Sequence, residues 1–223
     1  MVNIMNLLTD SLPHLVNIAG IKFPINWDFR ASVKFEMLIE NPEIDEKNKL
    51  LQSLLIYYPI ANLTKKEIEQ DADSRNLFEF FESHMEEAYK SIIDFYAGKD
   101  EKADIKSQAK SKEGIRTYSF KYDDALIFAS FWQQYGINLS KEKIHWWLFR
   151  TLLLNLQDST PMGRAMMYRC MNTSKMPKEQ RQEYESLKRK FALPEIMSKS
   201  EKEFQQKEEG IWEHGGDLAS IRK

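Results

Sequence analysis

Residues 122–154 read YDDALIFASFWQQYGINLSKEKIHWWLFRTLLL, two apolar blocks on either side of a short turn-like segment. In the first block the apolar residues recur at helical spacing, and Asp123 or Asp124 stands where an N-cap is needed. Gly136 follows the last of these residues, which is the usual place for a glycine that ends a helix. The block therefore predicts a helix of about three turns.

The second block, residues 144–154, is apolar nearly all round. Ser140 is predicted to cap this helix, with Glu142 in the first turn, where a negative charge suits the helix dipole. A helix without a polar side lies in the centre of a core or is shared between subunits. The pair of helices also resembles a helix-turn-helix, but a recognition helix needs polar and basic side chains for the groove. The DNA-binding interpretation therefore fails.

Outward from this stretch, most of the chain has helical periodicity. Further helices are predicted from Asp28 to about Glu40, over 43–57, from Asp73 or Ser74 to 97, from Thr160-Pro161 onward, and over 178–191. The N-terminal part differs, because the β-prone runs Leu15–Ile18 and Ile21–Ile25 surround Ala19-Gly20 and predict a small hairpin. Tyr118–Tyr122 is either a short strand or an extended approach to the next helix.

The predicted fold is mainly α, with a small N-terminal β-hairpin followed by two helical subdomains. Residues 1–98 form the hairpin and the first subdomain, and residues 115–195 form the second. Between them, residues 99–114 are charged and small, which is typical of a linker. Residues 196–223 are predicted to be a charged tail.

The composition is that of an ordinary globular protein, with 42% hydrophobic and 30% charged residues. The net charge is −2, and the short basic run Lys188–Lys190 makes no stripe for phosphates, so no nucleic-acid partner is expected. The single cysteine, Cys170, excludes an intramolecular disulfide framework. We find no secretory signal and no uncharged stretch long enough to cross a bilayer, so we expect a cytosolic protein without a membrane partner.

Each sequence motif or residue cluster that could support catalysis lacks at least one of the residues it needs. The glycines form no phosphate-binding loop, and the chain contains no GxSxG or HExxH motif. The four histidines are far apart in sequence, and the adjacent acids Asp123-Asp124 and Glu86-Glu87 cannot converge from one helix. Arg150 is predicted to need a buried partner, with Asp123, Asp124 or Asp158 as candidates. We therefore expect no enzyme activity, no metal and no cofactor.

The QQYG sequence at Gln133–Gly136 and the HWW sequence at His145–Trp147 together resemble the "gene-product fifteen" family of phage and prophage proteins from Gram-positive bacteria. The N-terminal residues Leu12–Arg30 are similar to the opening of that family, and the resemblance spans residues 10–195. It implies a tail-module protein of a long-tailed phage, encoded between the major tail protein and the tape measure protein. Proteins encoded there are usually tail assembly chaperones, and the family has no known set of catalytic residues.

The resemblance implies two partners, the tape measure protein and, in addition, the major tail protein. It also implies that the protein forms a homo-oligomer and acts in the cytoplasm of the bacterial host. The residues predicted to contact a partner are Trp132, Tyr135, Trp146, Trp147 and Arg150, since Trp, Tyr and Arg dominate interface energetics. For each aromatic residue the alternative is ordinary core packing. A minor structural component that stays in the virion is the second functional hypothesis, and an uncharacterised enzyme is the third.

Overall fold

The computed structural model describes residues 6–62, 72–98, 116–197 and 201, and these form a mainly helical protein with an N-terminal hairpin. The described residues contain two strands, eight α-helices and one 3₁₀ turn, Pro59–Asn62. In chain order they are β1 Leu15–Ile18, β2 Ile21–Pro24, α1 Phe29–Ile39, α2 Glu46–Tyr57, α3 Ala72–Ser83, α4 Met85–Ala97, α5 Asp124–Tyr135, α6 Trp146–Leu154, α7 Pro161–Cys170 and α8 Lys178–Lys190. The predicted fold class is confirmed.

The predicted hairpin is present, with β1 and β2 antiparallel and Ile18 opposite Ile21. Ala19 and Gly20 have φ values of 46° and 88°, and two positive φ angles match the twist of a two-residue hairpin turn. The side chain of Asn17 accepts a hydrogen bond from the backbone N–H of Gly20 at 2.8 Å, which closes the turn. The hairpin packs on α4, where Ser91 Oγ donates to the carbonyl of Asn17.

Aspartate and threonine side chains cap three of the helices. Asp28 caps α1 as predicted by accepting from the backbone N–H of Arg30 at 3.0 Å. Thr160 caps α7 by accepting from the N–H of Gly163 at 3.1 Å, and the proline after it occupies the first turn. The start of α2 lies three residues later than predicted, because Asp45 provides its cap.

His84 divides the helix predicted from residue 73 or 74 to residue 97. Its φ of −123° and ψ of 28° lie outside the helical region, so α3 ends at Ser83 and α4 begins at Met85. The His84 ring stacks on Phe80 with centroids 4.2 Å apart, and Nδ1 lies 2.8 Å from the Phe80 carbonyl oxygen. These local contacts compete with the helical hydrogen bonds and explain the break. The prediction of one continuous helix is wrong at this residue.

Ser140 does not cap α6, and that prediction is wrong. Ser140 and Glu142 belong to a turn around Asn138, whose side chain accepts from Ser140 while its N–H donates to Glu142. The helix begins at Trp146 because the ring of His145 accepts from the N–H of Trp147 at 3.2 Å. Residues Tyr118–Tyr122 form an extended approach that ends in a turn rather than a strand.

One hydrophobic cluster includes residues from both predicted subdomains. Helix α6 lies at its centre, because α1 packs on it from the N-terminal half and α5 from the C-terminal half. The Phe149 ring stacks on Phe29 at 4.3 Å and on Phe131 at 4.9 Å, so aromatic pairs cross the boundary. The predicted linker 99–114 lies outside the described residues, as does the predicted tail apart from residues 196, 197 and 201. In the described part of the chain no helix combines the length and apolarity needed to span a bilayer.

Candidate partner-binding surface

Three of the predicted partner-binding residues hold α6 against the C-terminal end of α4. A helix leaves its last carbonyl groups without intrahelical partners, and here side chains of α6 donate to three of them. Trp146 Nε1 donates to the carbonyl of Tyr96 at 2.9 Å, Trp147 Nε1 to that of Phe95 at 2.7 Å, and Arg150 to that of Ala97 at 2.8 Å. The HWW sequence and Arg150 therefore join the two halves of the protein.

The burial of these three residues differs. Trp146 is fully buried and stacks on Tyr96 with centroids 5.1 Å apart, so it occupies the core position that the sequence left as its alternative. Trp147 is half-buried, and its indole lies over Gly98 so closely that a Cβ there would stand 3.3 Å from Nε1. Arg150 is half-buried as well. The sequence could not distinguish the two tryptophans because α6 is apolar nearly all round.

Trp132 and Tyr135 lie on α5, and only Trp132 extends into solvent. The Trp132 side chain is 54% exposed, and Phe128, one helical turn earlier, is 39% exposed. Ala125 and Ala129 are exposed beside them, so these four residues form a continuous apolar strip that we call the α5 stripe. Tyr135 is half-buried, and its hydroxyl donates to the carbonyl of Leu152 at 2.9 Å. Sequence reasoning missed Phe128 as a surface residue, although its spacing of four from Trp132 was visible.

The opposite side of α5 fixes the stripe to the rest of the fold. Ile127, Ser130 and Phe131 are buried there. Ser130 Oγ accepts from the N–H of Met162 at 2.8 Å, which ties α5 to the first turn of α7. The buried side of α5 and this hydrogen bond therefore anchor the helix that carries the stripe.

The start of α5 is held by a buried ion pair between Asp123 and Arg169 of α7. Two nitrogens of Arg169 donate to the two carboxylate oxygens of Asp123 at 2.7 and 2.8 Å, and both side chains are almost fully buried. Asp123 stands at the N-cap position but makes no side-chain capping bond, so the predicted capping role is wrong. Asp123 pairs with Arg169 and not with Arg150, because Arg169 approaches it from the helix packed against α5.

Glu36 is the buried acid that sequence reasoning missed. Burial raises its pKa to about 8, against the opposing effect of a hydrogen bond that the Tyr96 hydroxyl donates to Oε2. Its Oε1 atom has no hydrogen-bond partner among the described residues. Glu36 lines neither the cavity beside Arg116 nor the groove beside Trp27. Because its pKa is raised, Glu36 is mostly a neutral carboxylic acid at pH 7, which is the form that its buried position favours.

His14, His84, His145 and Cys170, the histidines and cysteine that the structure describes, lie outside any cluster of metal-ligand type among the described residues. Burial lowers the pKa of His145, whose Nε2 lies 3.0 Å from the carbonyl oxygen of Pro13 while Nδ1 accepts from α6. Cys170 is a half-buried free thiol. In the ranges 6–62, 72–98 and 116–197, no three side chains of the His, Cys, Asp and Glu types come together as metal ligands. A first cavity of about 350 Å³ lies beside Arg116 and Lys121, with Glu40, Glu43 and Glu195 also lining it.

These features define a mainly helical protein with an N-terminal β-hairpin and an exposed apolar stripe on α5. The chain belongs to the Bacteriophage Gp15 protein family, whose sequence profile matches residues 8–193. Comparison with curated proteins and with solved structures gives no match. Membership in this family suggests a phage tail-module protein, and the family is not known as one of enzymes.

Proposed function

We propose that this protein is a tail assembly chaperone that binds the tape measure protein through the α5 stripe and assists assembly of the tail tube in the host cytoplasm. Two observations support the proposal. Family membership suggests the tail module, and the stripe is the kind of surface that a helical partner needs. The exposed pair Phe128 and Trp132 is the observation that carries it.

The geometry of the stripe suits an amphipathic helix. Phe128 and Trp132 are one turn apart on the same side of α5, and the small side chains of Ala125 and Ala129 leave room for the backbone of a partner to approach. Exposed Trp and Phe side chains bury large areas when they are covered. The stripe covers about two helical turns, so one contact is weak and reversible. A chaperone needs such contacts because it must leave the tape measure when the tube forms around it.

The test is co-expression of the tagged full chain with the tape measure protein of the same phage, followed by recovery of soluble complex. We expect the wild type to keep the tape measure protein soluble and to recover it. Replacement of both Phe128 and Trp132 by Ser should lower recovery by about tenfold, which corresponds to about 1.4 kcal/mol of binding free energy. The control replaces Leu51 and Leu77 by Ser, since these are 38% and 39% exposed and lie on other helices.

Equal recovery by the stripe variant and the wild type would remove the α5 stripe from the proposal. If the wild type recovered no tape measure protein, the chaperone role itself would be wrong. Mass spectrometry of purified phage particles then tests the second hypothesis, that the protein is a minor structural component. Such a component stays in the finished tail, whereas a chaperone does not.

A further inference from the structure

A second surface, separate from the α5 stripe, lies between the end of the hairpin and helices α1 and α2. It is a groove with a volume of about 840 Å³. Residues 24–28 form one side and the end of α2 forms the other, with the side chains of Arg30, Lys34 and Lys143 also lining it. None of these residues belongs to α5, so the groove does not depend on the proposed contact with the tape measure protein.

The lining of the groove contains a row of apolar side chains. Ile25 is buried, Trp27 and Ile56 are half-buried, and Leu55 is 48% exposed although it is a large aliphatic residue. Pro59 continues the apolar surface at the end of α2. The half-buried indole and the exposed leucine are surfaces that a partner would remove from water on binding.

The charged residues of the groove are mostly basic. Arg30, Lys34 and Lys143 face a single carboxylate, Asp28, so the lining has a formal charge of +2 while the whole chain has −2. Arg30 is already engaged, since it bonds both oxygens of Asp28 and donates to the carbonyls of Leu139 and Glu142.

Lys34 and Lys143 carry the charge that a partner could use. Both are exposed, and neither makes an ion pair within the described part of the chain. They come from positions 109 residues apart (34 and 143), and the fold brings them to the same groove. Two available ammonium groups beside an apolar lining are complementary to a segment with both carboxylates and apolar side chains.

We propose that this groove binds an acidic amphipathic segment of a partner protein, with the apolar side chains of that segment on Trp27 and Leu55 and its carboxylates beside Lys34 and Lys143. A peptide fits these features better than a nucleic acid. Nucleic-acid binding takes most of its affinity from many phosphate contacts, and two free lysines supply few of them. The inference goes beyond the chaperone proposal, because it assigns a different surface and a partner of defined chemistry.

The experiment uses the purified full chain and two dye-labelled synthetic peptides of about 16 residues, long enough for about four helical turns. Both peptides carry Leu and Phe at helical spacing, but one has Glu at the remaining positions and the other has Lys. Fluorescence anisotropy at low salt should give a Kd for the acidic peptide about tenfold lower than for the basic one. The difference should shrink as salt rises, because exposed charges are screened.

Matched charge reversals test the assignment. Lys34→Glu with Lys143→Glu should abolish the preference for the acidic peptide, whereas Lys90→Glu with Lys141→Glu makes the same change in net charge at exposed positions outside the groove and should retain it. Leu55→Ser should weaken binding of both peptides. The stripe variant with Ser at positions 128 and 132 should bind both peptides as the wild type does, which separates this groove from the chaperone proposal.

Three results would overturn the inference: equal affinity for the two peptides, an equal loss in both double-lysine variants, or displacement of the acidic peptide by a single-stranded DNA oligonucleotide at a lower concentration than by unlabelled peptide. Thermal unfolding of each variant confirms that it is folded before binding is measured. A variant that unfolds early is replaced by the Lys→Gln pair at the same positions, which removes the charges without reversing them.

Discussion

The indole N–H of Trp146 donates to the backbone carbonyl of Tyr96 at 2.9 Å, and the two rings stack with centroids 5.1 Å apart. The Trp146 side chain therefore supplies a hydrogen-bond donor to the C-terminal end of α4 and fills the core beside it. Because these residues are separated by 50 positions in sequence, the contact joins α4 to α6 directly.

Trp146→Phe should lower the free energy of unfolding by about 2–4 kcal/mol. The change leaves the buried carbonyl of Tyr96 without its donor and creates a cavity where the larger ring was. Urea unfolding followed by circular dichroism measures the difference. Trp132→Phe serves as the control, since that side chain is 54% exposed and its change should stay within about 0.5 kcal/mol. Equal effects at both positions would contradict the burial assigned to Trp146.

Asp123→Asn should destabilise the protein by about 3–5 kcal/mol, because it leaves the guanidinium of Arg169 buried without its charged partner. The neighbouring Asp124 offers a control of the same chemistry. It is exposed, so Asp124→Asn should cost less than about 0.5 kcal/mol. Denaturant midpoints of the two variants give the comparison, and a midpoint for Asp123→Asn near that of the wild type would argue against the ion pair.

Gly163→Ala should cost about 1–3 kcal/mol through overpacking. A Cβ at this position would stand 2.0 Å from the carbonyl oxygen of Gln157, a backbone atom that cannot move without displacing the first turn of α7. Thermal unfolding of this variant should be compared with that of Arg164→Ala, an exposed change in the same turn. Unchanged stability in the glycine variant would mean that the turn before α7 is looser than described.

Stability should fall as pH rises from about 5 to about 9, and Glu36 should account for much of that fall. Its pKa is about 8 in the folded protein against 4.5 as the ordinary value, so the folded state holds a proton that the unfolded state has released. The stabilising contribution is complete below the ordinary pKa and is lost as pH approaches and passes 8, with a size on the order of a few kcal/mol.

Glu36→Gln isolates this contribution, because an amide keeps the shape of the acid without titrating. Unfolding free energies of the wild type and the variant should be measured across that pH range, and the quantity of interest is their difference. We expect the variant to become steadily more stable relative to the wild type as pH rises. A difference that does not vary with pH would show that Glu36 ionises normally.

Local signals made the hairpin and most helix bounds predictable. Asp28 and Thr160 cap their helices through bonds to residues two and three positions later, which any short window of sequence contains. The two wrong capping predictions have different causes. Ser140 Oγ donates to the side chain of Asn138, two residues earlier, whereas Asp123 is paired with an arginine 46 residues away that no local pattern can identify.

The candidate surfaces were less predictable than the fold. The sequence identified Trp132 and Trp146 together as aromatic residues on apolar helices, yet one is exposed and the other is fully buried. An apolar helix does not indicate which of its sides meets the core, so the orientation of α5 came from the structure. The groove depends on Lys34 and Lys143, which only tertiary packing brings together.

The long-range hydrogen bonds of His145 and Arg30 bear on how the chain folds as it is synthesised. The His145 ring reaches the carbonyl of Pro13 across 132 positions, and Arg30 reaches the carbonyl of Leu139 across 109. While Leu139 and His145 are still inside the ribosome, the contact of His145 with Pro13 and that of Arg30 with Leu139 cannot form. We therefore expect the two halves to complete their packing together, after α6 has been synthesised. A chain that stops at residue 98 lacks α6, so the carbonyls of Phe95, Tyr96 and Ala97 are without the donors that α6 supplies.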